Sequence, residues 1–350
     1  MKKVCIEVKR CQKHIINHVG NWISVMNLAE CQVGYFYFEG LGVKTDLEQA
    51  LYWTSRAAEH GDRDGQYNLA WFYEEAIGVS KDMEKAKYWY RQAALQGHDM
   101  ALKRILEKAD NEVVRLETNQ NHVTVYLNDT IIGSIELYTN SWHKQNQYLK
   151  FKDFIFEAQI SAEVFRKLFD MVQRPLQIMT NSENLALIEF ITAGGFVCKR
   201  KCYEIEARLG DYIGKVRTPY LLRTHKGEAE YDLCCRLIYE RYVETHRAIN
   251  PLTADCATFV SDLPNCVFYQ EEDGFISSFA FVEENEIAYV YGGEDGSFIS
   301  FAEMLVCQLM NEYQTICFEA DDCDGTAMQL KALFKGQGEL SFDTYIKADY

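Results

Sequence analysis

The sequence predicts an α+β multidomain protein, with helical repeat hairpins at the N-terminus followed by two mixed α/β halves. Three observations predict it. Self-similarity at a 36-residue period runs through the first hundred residues. After Asn111 the apolar spacing switches from helical to period two. One order of strands and helices then occurs twice. The expected boundaries are 1–110, 111–225 and 226–350.

The repeat comes first. Tyr37, Gly42, Val43, Asp46, Ala50, Trp53, Ala57, Ala58 and Gly61 recur as Tyr73, Gly78, Val79, Asp82, Ala86, Trp89, Ala93, Ala94 and Gly97. Repeat units are expected at about 29–64 and 65–100, each a helical hairpin. The first helix of each, about 28–38 and then 65–75, ends in a glycine turn. Asp46 and Asp82 are placed to cap the second helix. Paired alanines allow close helix packing, and Gly61 and Gly97 close it. In the turn, Gly40 of the first unit becomes Ala76 in the second. Two repeats are few for a free-standing stack, so the flanks 10–25 and 100–110 or the following domains must cover its ends.

The α/β region opens on a hairpin, with strands 123–127 and 130–138 joined at Asn128–Asp129. A strand at 148–157, a helix at 161–173, a strand at 176–179 and a helix at 181–193 follow. Gly194 and Gly195 then lead into a closing strand, CYEIEA. In the second half, helices are expected at 229–247 and about 253–263, the first with Tyr231, Cys234, Cys235, Ile238, Tyr239 and Tyr242 on one face. The strands VFYQ, FISSFAFV and EIAYVYG come next. The helix SFISFAEMLVCQLMNE, the strand TICFEA, the helix DGTAMQLKALF and the strand FDTYIKA finish the chain.

On those residues the N-terminal pattern resembles the Sel1-like repeat, a relative of the tetratricopeptide repeat, over about 26–102. The resemblance implies a scaffold that binds a protein partner. Three antiparallel strands, then strand–helix–strand–helix–strand with a glycine after the last helix, resembles the Gcn5-related N-acetyltransferase (GNAT) fold. ENLALIEFITAGGFVCKRKCYEIE and TAMQLKALFKGQGELSFDTYIK carry it, so the α/β region reads as a tandem pair. The resemblance implies acetyl-CoA as cofactor, held by backbone N–H groups at a helix N-terminus, together with a base and a thiolate-protonating acid.

In the first half the cradle position reads FEAQISAEVF, which has no glycine. In the second it reads YVYGGEDGSFISF, where Gly292, Gly293 and Gly296 precede Ser297 and Phe298. These five are the candidate cofactor-binding residues. A plain glycine turn between strand and helix is the alternative reading, because Glu294 and Asp295 bring the wrong charge to a pyrophosphate. The family's tyrosine slot holds Phe334 in one half and Ile191 in the other, so no catalytic residue is assigned. Tyr289 and Tyr291 are possible substitutes.

Charge narrows the partners. The formal net charge is −16. Divided at the three boundaries it is 0, +1 and −17, and Ala248–Leu330 contains no Lys or Arg. Such a surface repels nucleic acid and anionic membranes and suits a cationic amine or a basic protein. Lys199, Arg200 and Lys201 form the one compact basic cluster.

The twelve cysteines are scattered without a CxxC. With no export signal or apolar span, they fit a reduced, cytoplasmic protein. His14 and His18 lie at i, i+4 without a third ligand, so no metal site is expected. DDCDG at 321–325 reads as a helix N-cap.

Two functions follow from the resemblance. One is an acetyl-CoA-dependent N-acyltransferase acting on a cationic amine or basic protein. The other is a non-catalytic scaffold or sensor built from degenerate GNAT-like domains.

Overall fold

A computed structural model describes residues 22–106, 114–293, 297–336 and 340–348. The chain divides into two compact units, Met1–Glu136 with Phe151–Ile155, and Leu137–Lys150 with Phe156–Tyr350.

The first unit begins with the helices α1 (Trp22–Glu39), α2 (Leu47–Glu59), α3 (Arg63–Glu75), α4 (Met83–Leu95) and α5 (Asp99–Leu106). The expected caps are present. Asp46 accepts from the backbone N–H groups of Glu48 and Gln49, each at 3.1 Å, and Asp82 from that of Lys85 at 3.0 Å. Each cap is worth about 1 kcal/mol. Ala50, Ala57 and Ala58 are buried, as are their repeat equivalents Ala86, Ala93 and Ala94. The turns show what the Gly40-to-Ala76 change costs. Ala76 sits at φ +58 in the left-handed region, where Gly40 sits freely at +72. Gly78 (φ +65) cannot be replaced in the same way, because a Cβ there would meet the Leu47 carbonyl oxygen at 2.6 Å.

β1 (Val114–Asn119), β2 (His122–Leu127) and β3 (Thr130–Tyr138) follow as an antiparallel meander. Asn128 and Asp129 both take positive φ, 49 and 65, as a two-residue hairpin turn requires.

The second unit is a mixed sheet with helices on both faces. Its elements are β4 (Gln147–Lys152), α6 (Ala158–Val172), β5 (Leu176–Asn181), α7 (Leu185–Ala193), β6 (Val197–Arg208), β7 (Leu222–His225), α8 (Ala229–His246) and α9 (Cys256–Ser261). β8 (Cys266–Glu272), β9 (Phe275–Glu283), β10 (Glu286–Tyr291), α10 (Ser297–Glu312), β11 (Thr315–Asp321), α11 (Gly325–Lys331) and β12 (Phe342–Lys347) complete it. The strand order is β4-β5-β12-β6-β11-β10-β9-β8-β7. The closing strands are therefore exchanged. β12 lies antiparallel against β5 of the earlier half, while β6 lies antiparallel against β11 of the later half. The two exchanged strands also pair with each other.

Two apolar layers flank the later half of the sheet. Phe298, Phe301, Leu305 and Leu309 of α10 pack with Phe318 and Phe334 on one face. Tyr231, Cys234, Cys235 and Ile238 of α8 pack with Phe259, Phe279 and Phe281 on the other. The apolar face expected for 229–247 is thus the buried one.

Candidate functional site

β10 and β11 run parallel but pair only at Glu286↔Cys317 and Ile287↔Phe318. A register shift between Ile287 and Tyr289 marks a bulge in β10. Beyond it the strands separate into a cavity of about 380 Å³, lined by β10, β11, α8 and the N-terminus of α11.

Its floor is built around Arg200, which the exchanged strand β6 carries beside β11. The Arg200 side chain is only 11% exposed. Nη1 donates to Asp321 Oδ2 at 3.2 Å and to His246 Nε2 at 3.0 Å, and Nη2 donates to Thr344 Oγ1 at 3.4 Å. An arginine cannot accept, so His246 Nε2 carries the lone pair and its proton is on Nδ1. That nitrogen lies 3.1 Å from the Tyr242 carbonyl. Burial, the neighbouring Arg200 cation and His143 hold His246 down to about 3, so it is neutral at pH 7.

Tyr242 stacks on His246, with centroids 3.9 Å apart. Its hydroxyl reaches His143 Nε2 at 3.0 Å. His143 Nδ1 lies 3.3 Å from the Pro251 carbonyl, which only an N–H can satisfy, so Nε2 accepts from Tyr242.

The carboxylates and phenols at the mouth are tuned by crowding. Desolvation by the cavity wall, with Asp321 and Glu204 nearby, raises the carboxyl of Glu319, a residue that still reaches solvent and accepts from the Cys202 thiol at 3.6 Å. Burial, with Glu319 and other carboxylates nearby, pushes the Tyr289 phenol up to about 12. Tyr289 therefore stays a proton donor at neutral pH. Asp324 caps α11 as expected, accepting from the N–H groups of Thr326 and Ala327. Its carboxyl is nevertheless raised by burial.

The glycine turn leads out of β10. Gly292 is buried against α10, where a Cβ would meet Phe298 Cδ2 at 2.5 Å, so only glycine permits this approach. Its carbonyl accepts from Arg241 Nη2 at 3.0 Å, and Arg241 also lies 5.3 Å from the Tyr291 ring centroid. Gly293 follows and Ser297 opens α10. The Phe298 side chain is wholly within the core, so it braces the turn and presents nothing to a ligand. Gly296, like Glu294, Asp295, His14 and His18, lies outside the described residues. Phe334 and Ile191, at the tyrosine slots, are buried core residues.

Spacing along the chain missed Arg241, His246, His143 and Asp321. Arg200 was visible only as part of a basic cluster. The usable signal was alternation along β6, which turns Arg200 to the opposite face from Lys199 and Lys201. The earlier half differs. β4 and β5 also pair at only two positions, and Tyr148, Gln177 and Asn146 are buried there.

Among the described residues, no His, Cys, Asp or Glu cluster is placed to hold a metal ion, and all ten described cysteines are free. No described helix is long and apolar enough to cross a membrane.

Comparison with known proteins bears on both regions. Residues 27–62 and 63–98 match the family model of the Sel1 repeat. The N-terminal region thus consists of Sel1 repeats, followed by a mixed α/β region. No curated protein matches the chain. A Sel1 repeat protein from Oxalobacter formigenes is 30% identical over 30% of this chain and 88% of its own, with a TM-score of 0.25. A GCN5-related N-acetyltransferase from Sphaerobacter thermophilus is 10% identical, covering 83% of this chain and 93% of its own at a TM-score of 0.41. A GNAT-family acetyltransferase from Colwellia psychrerythraea is 9% identical, covering 73% and 97% at 0.37.

Proposed function

We propose that the protein is an acetyl-CoA-dependent N-acyltransferase whose site is the split between β10 and β11, with the Sel1 repeats binding a protein partner. The observation that carries this reading is the opening itself: β10 and β11 pair only at Glu286↔Cys317 and Ile287↔Phe318, and a cavity lined by Arg241, Tyr289 and Glu319 lies beside them.

The fit to the coenzyme rests on the turn before α10. The sequence has no arginine there, but Arg241 reaches it from α8 and is held against Gly292. Arg241 and the backbone at Gly292, Gly293 and Ser297 would hold the pyrophosphate near the positive end of α10. When bound, acetyl-CoA supplies an activated acyl group and a thiol leaving group.

The chain's own residues supply the rest. Glu319, with its carboxyl raised, takes a proton from the acceptor amine. Tyr289 keeps its proton and would supply it to the thiolate that departs as the amine's new N–C bond forms and the thioester C–S bond breaks. Glu283, Glu286 and Asp262 at the rim favour an acceptor carrying further positive charge, such as a polyamine or a lysine-rich tail. Tyr52 and Tyr88, one repeat apart and both about half exposed, are the residues offered to a protein partner on the repeats.

The same carboxylates favour a second reading, a scaffold that holds a basic protein and binds no coenzyme. Calorimetry of the full chain with acetyl-CoA, at low and moderate salt, separates the two. Binding that weakens with salt and is lost in Arg241→Glu supports the transferase. No heat up to millimolar coenzyme refutes it.

A further inference from the structure

The strap between β6 and β7 faces the protein with its polar groups and solvent with its apolar ones. Glu303, buried on α10, accepts from the Lys215 backbone N–H at 2.8 Å and from Arg217 Nε. The Ile213 N–H donates to the Leu333 carbonyl at 2.8 Å, and the Tyr212 hydroxyl to that of Lys215 at 2.7 Å. Pinned in this way, the strap leaves Leu209 65% exposed, Ile213 59%, Val216 88% and Tyr220 83%. Apolar side chains scattered singly over a surface need no account, but a series of them on one ordered strap marks an interaction surface.

The two ends of this strip are complementary. At Leu209 it borders a groove of about 660 Å³, lined by Leu209, Met310 and Tyr313 with Arg208 beside them. The groove lies where β11 begins, since Arg208 pairs with Thr315. β10 runs parallel to β11 and β9 antiparallel to β10, so β9 begins at the opposite end of the sheet. There Phe275 stands 77% exposed at the β8–β9 hairpin, just after the exposed carboxylates Glu271, Glu272 and Asp273. Ile276 packs with the core on the α8 side, so alternation turns Phe275 to the α10 side, where the strap runs. Beyond Tyr220 the chain enters β7 opposite Tyr269 of β8, which carries the strip toward that hairpin.

We propose that this face binds a second copy of the chain about a two-fold axis, the Phe275 hairpin of each copy entering the groove at Leu209 of the other. Because hairpin and groove sit at opposite ends of the sheet, one copy does not fill its own groove, whereas two antiparallel copies fill both and close the pair. Ile213, Val216 and Tyr220 of the two copies then face each other between the ends. Charge selects the same occupant. The strap carries Arg208, Lys215, Arg217 and Arg223 against the single acid Asp211, next to a C-terminal third of net charge −17. Glu312 in the groove wall is already paired with Arg223 at 3.6 Å, and Arg217 with Glu303, so Arg208 is the groove cation that meets the hairpin carboxylates of the other copy. None of these residues lines the cavity between β10 and β11, so the inference does not rest on acyl transfer.

Sedimentation velocity of the full chain across micromolar concentrations tests it, and a concentration-dependent dimer is expected. Phe275→Asp and Val216→Asp alter exposed side chains, so both should keep the far-UV circular dichroism of the parent while each raises the dissociation constant at least about tenfold. Arg208→Glu should weaken the dimer as well, and Glu272→Lys in that background should restore it. A monomer throughout the range, an assembly that keeps growing beyond the pair, or a dimer indifferent to Phe275→Asp overturns the proposal. So does a charge reversal that the second substitution fails to rescue.

Discussion

Replacing Arg200 with leucine tests whether the floor of the cavity is one electrostatic unit. The substitution removes three hydrogen bonds, to Asp321, His246 and Thr344. It also strands the Asp321 carboxylate. Breaking a buried pair by removing one member typically costs 3–5 kcal/mol. Asp321 is 21% exposed, so water from the cavity can partly replace the guanidinium, which puts the loss at the low end, about 3 kcal/mol. For a unit of this size that is a fall of roughly 6–12 °C in melting temperature. Asp321→Asn in the Arg200→Leu background removes the stranded charge, so the double variant should recover about 1–2 kcal/mol relative to additivity. Urea unfolding at pH 7, with slopes compared so that midpoints report stability, measures all four proteins of the cycle. A single-variant loss below about 1 kcal/mol, or strict additivity across the cycle, would refute a coupled floor.

Four further outcomes follow, two from the cavity and two from the repeats. His246 stays neutral down to about pH 3 while its unfolded counterpart takes up a proton near pH 6.5, so the unfolded state binds more protons across that window. Stability should therefore fall with decreasing pH by up to about 1.4 kcal/mol per unit, and His246→Gln should flatten the pH series. Glu319 has the opposite sign. Its folded carboxyl is raised, so the folded state holds more protons above the ordinary glutamate range and stability falls as pH rises through it. Glu319→Gln should thus be more stable than the parent at pH 7, with the gap closing below about pH 4.3, as denaturant midpoints at the two pH values will show. In the repeats, Ala76→Gly relieves a left-handed residue and should stabilise by about 1 kcal/mol. Gly78→Ala should cost clearly more than Gly42→Ala in thermal melts, since Gly42 (φ +74) has open space around it.

The parts of the fold legible in the sequence were those set by local chemistry. Asp46, Asp82 and Asp324 declare their helix starts, and Asn128–Asp129 its hairpin, because capping and turn geometry are decided within a few residues. The long strand expected at 148–157 ends at Lys152, because Asp153 turns to φ +47 and Phe154 and Ile155 bury themselves. The edge strands β1 and β7 were not anticipated, since VRLETN alternates over only two apolar residues and LRTH has only one. The exchange of β6 and β12 was also invisible. Alternating residues specify which face is buried, not which neighbour completes the ladder. The cavity was hidden for the same reason. Its charged residues come from β6, α8, β9, β10, β11 and the helix ends at Asp262 and Asp324, and only the exchange brings Arg200 to Asp321.

That exchange constrains how the chain can be made. Ile178 finds its sheet partner in Tyr345, and the backbone N–H of Ser341 is held by the Ser182 hydroxyl, 159 residues earlier. During synthesis the earlier half emerges with the β5 edge unpaired, an open invitation to another nascent strand until the late strand arrives. Closure over so long a loop is slow, so the protein should depend on chaperone protection while it is being translated.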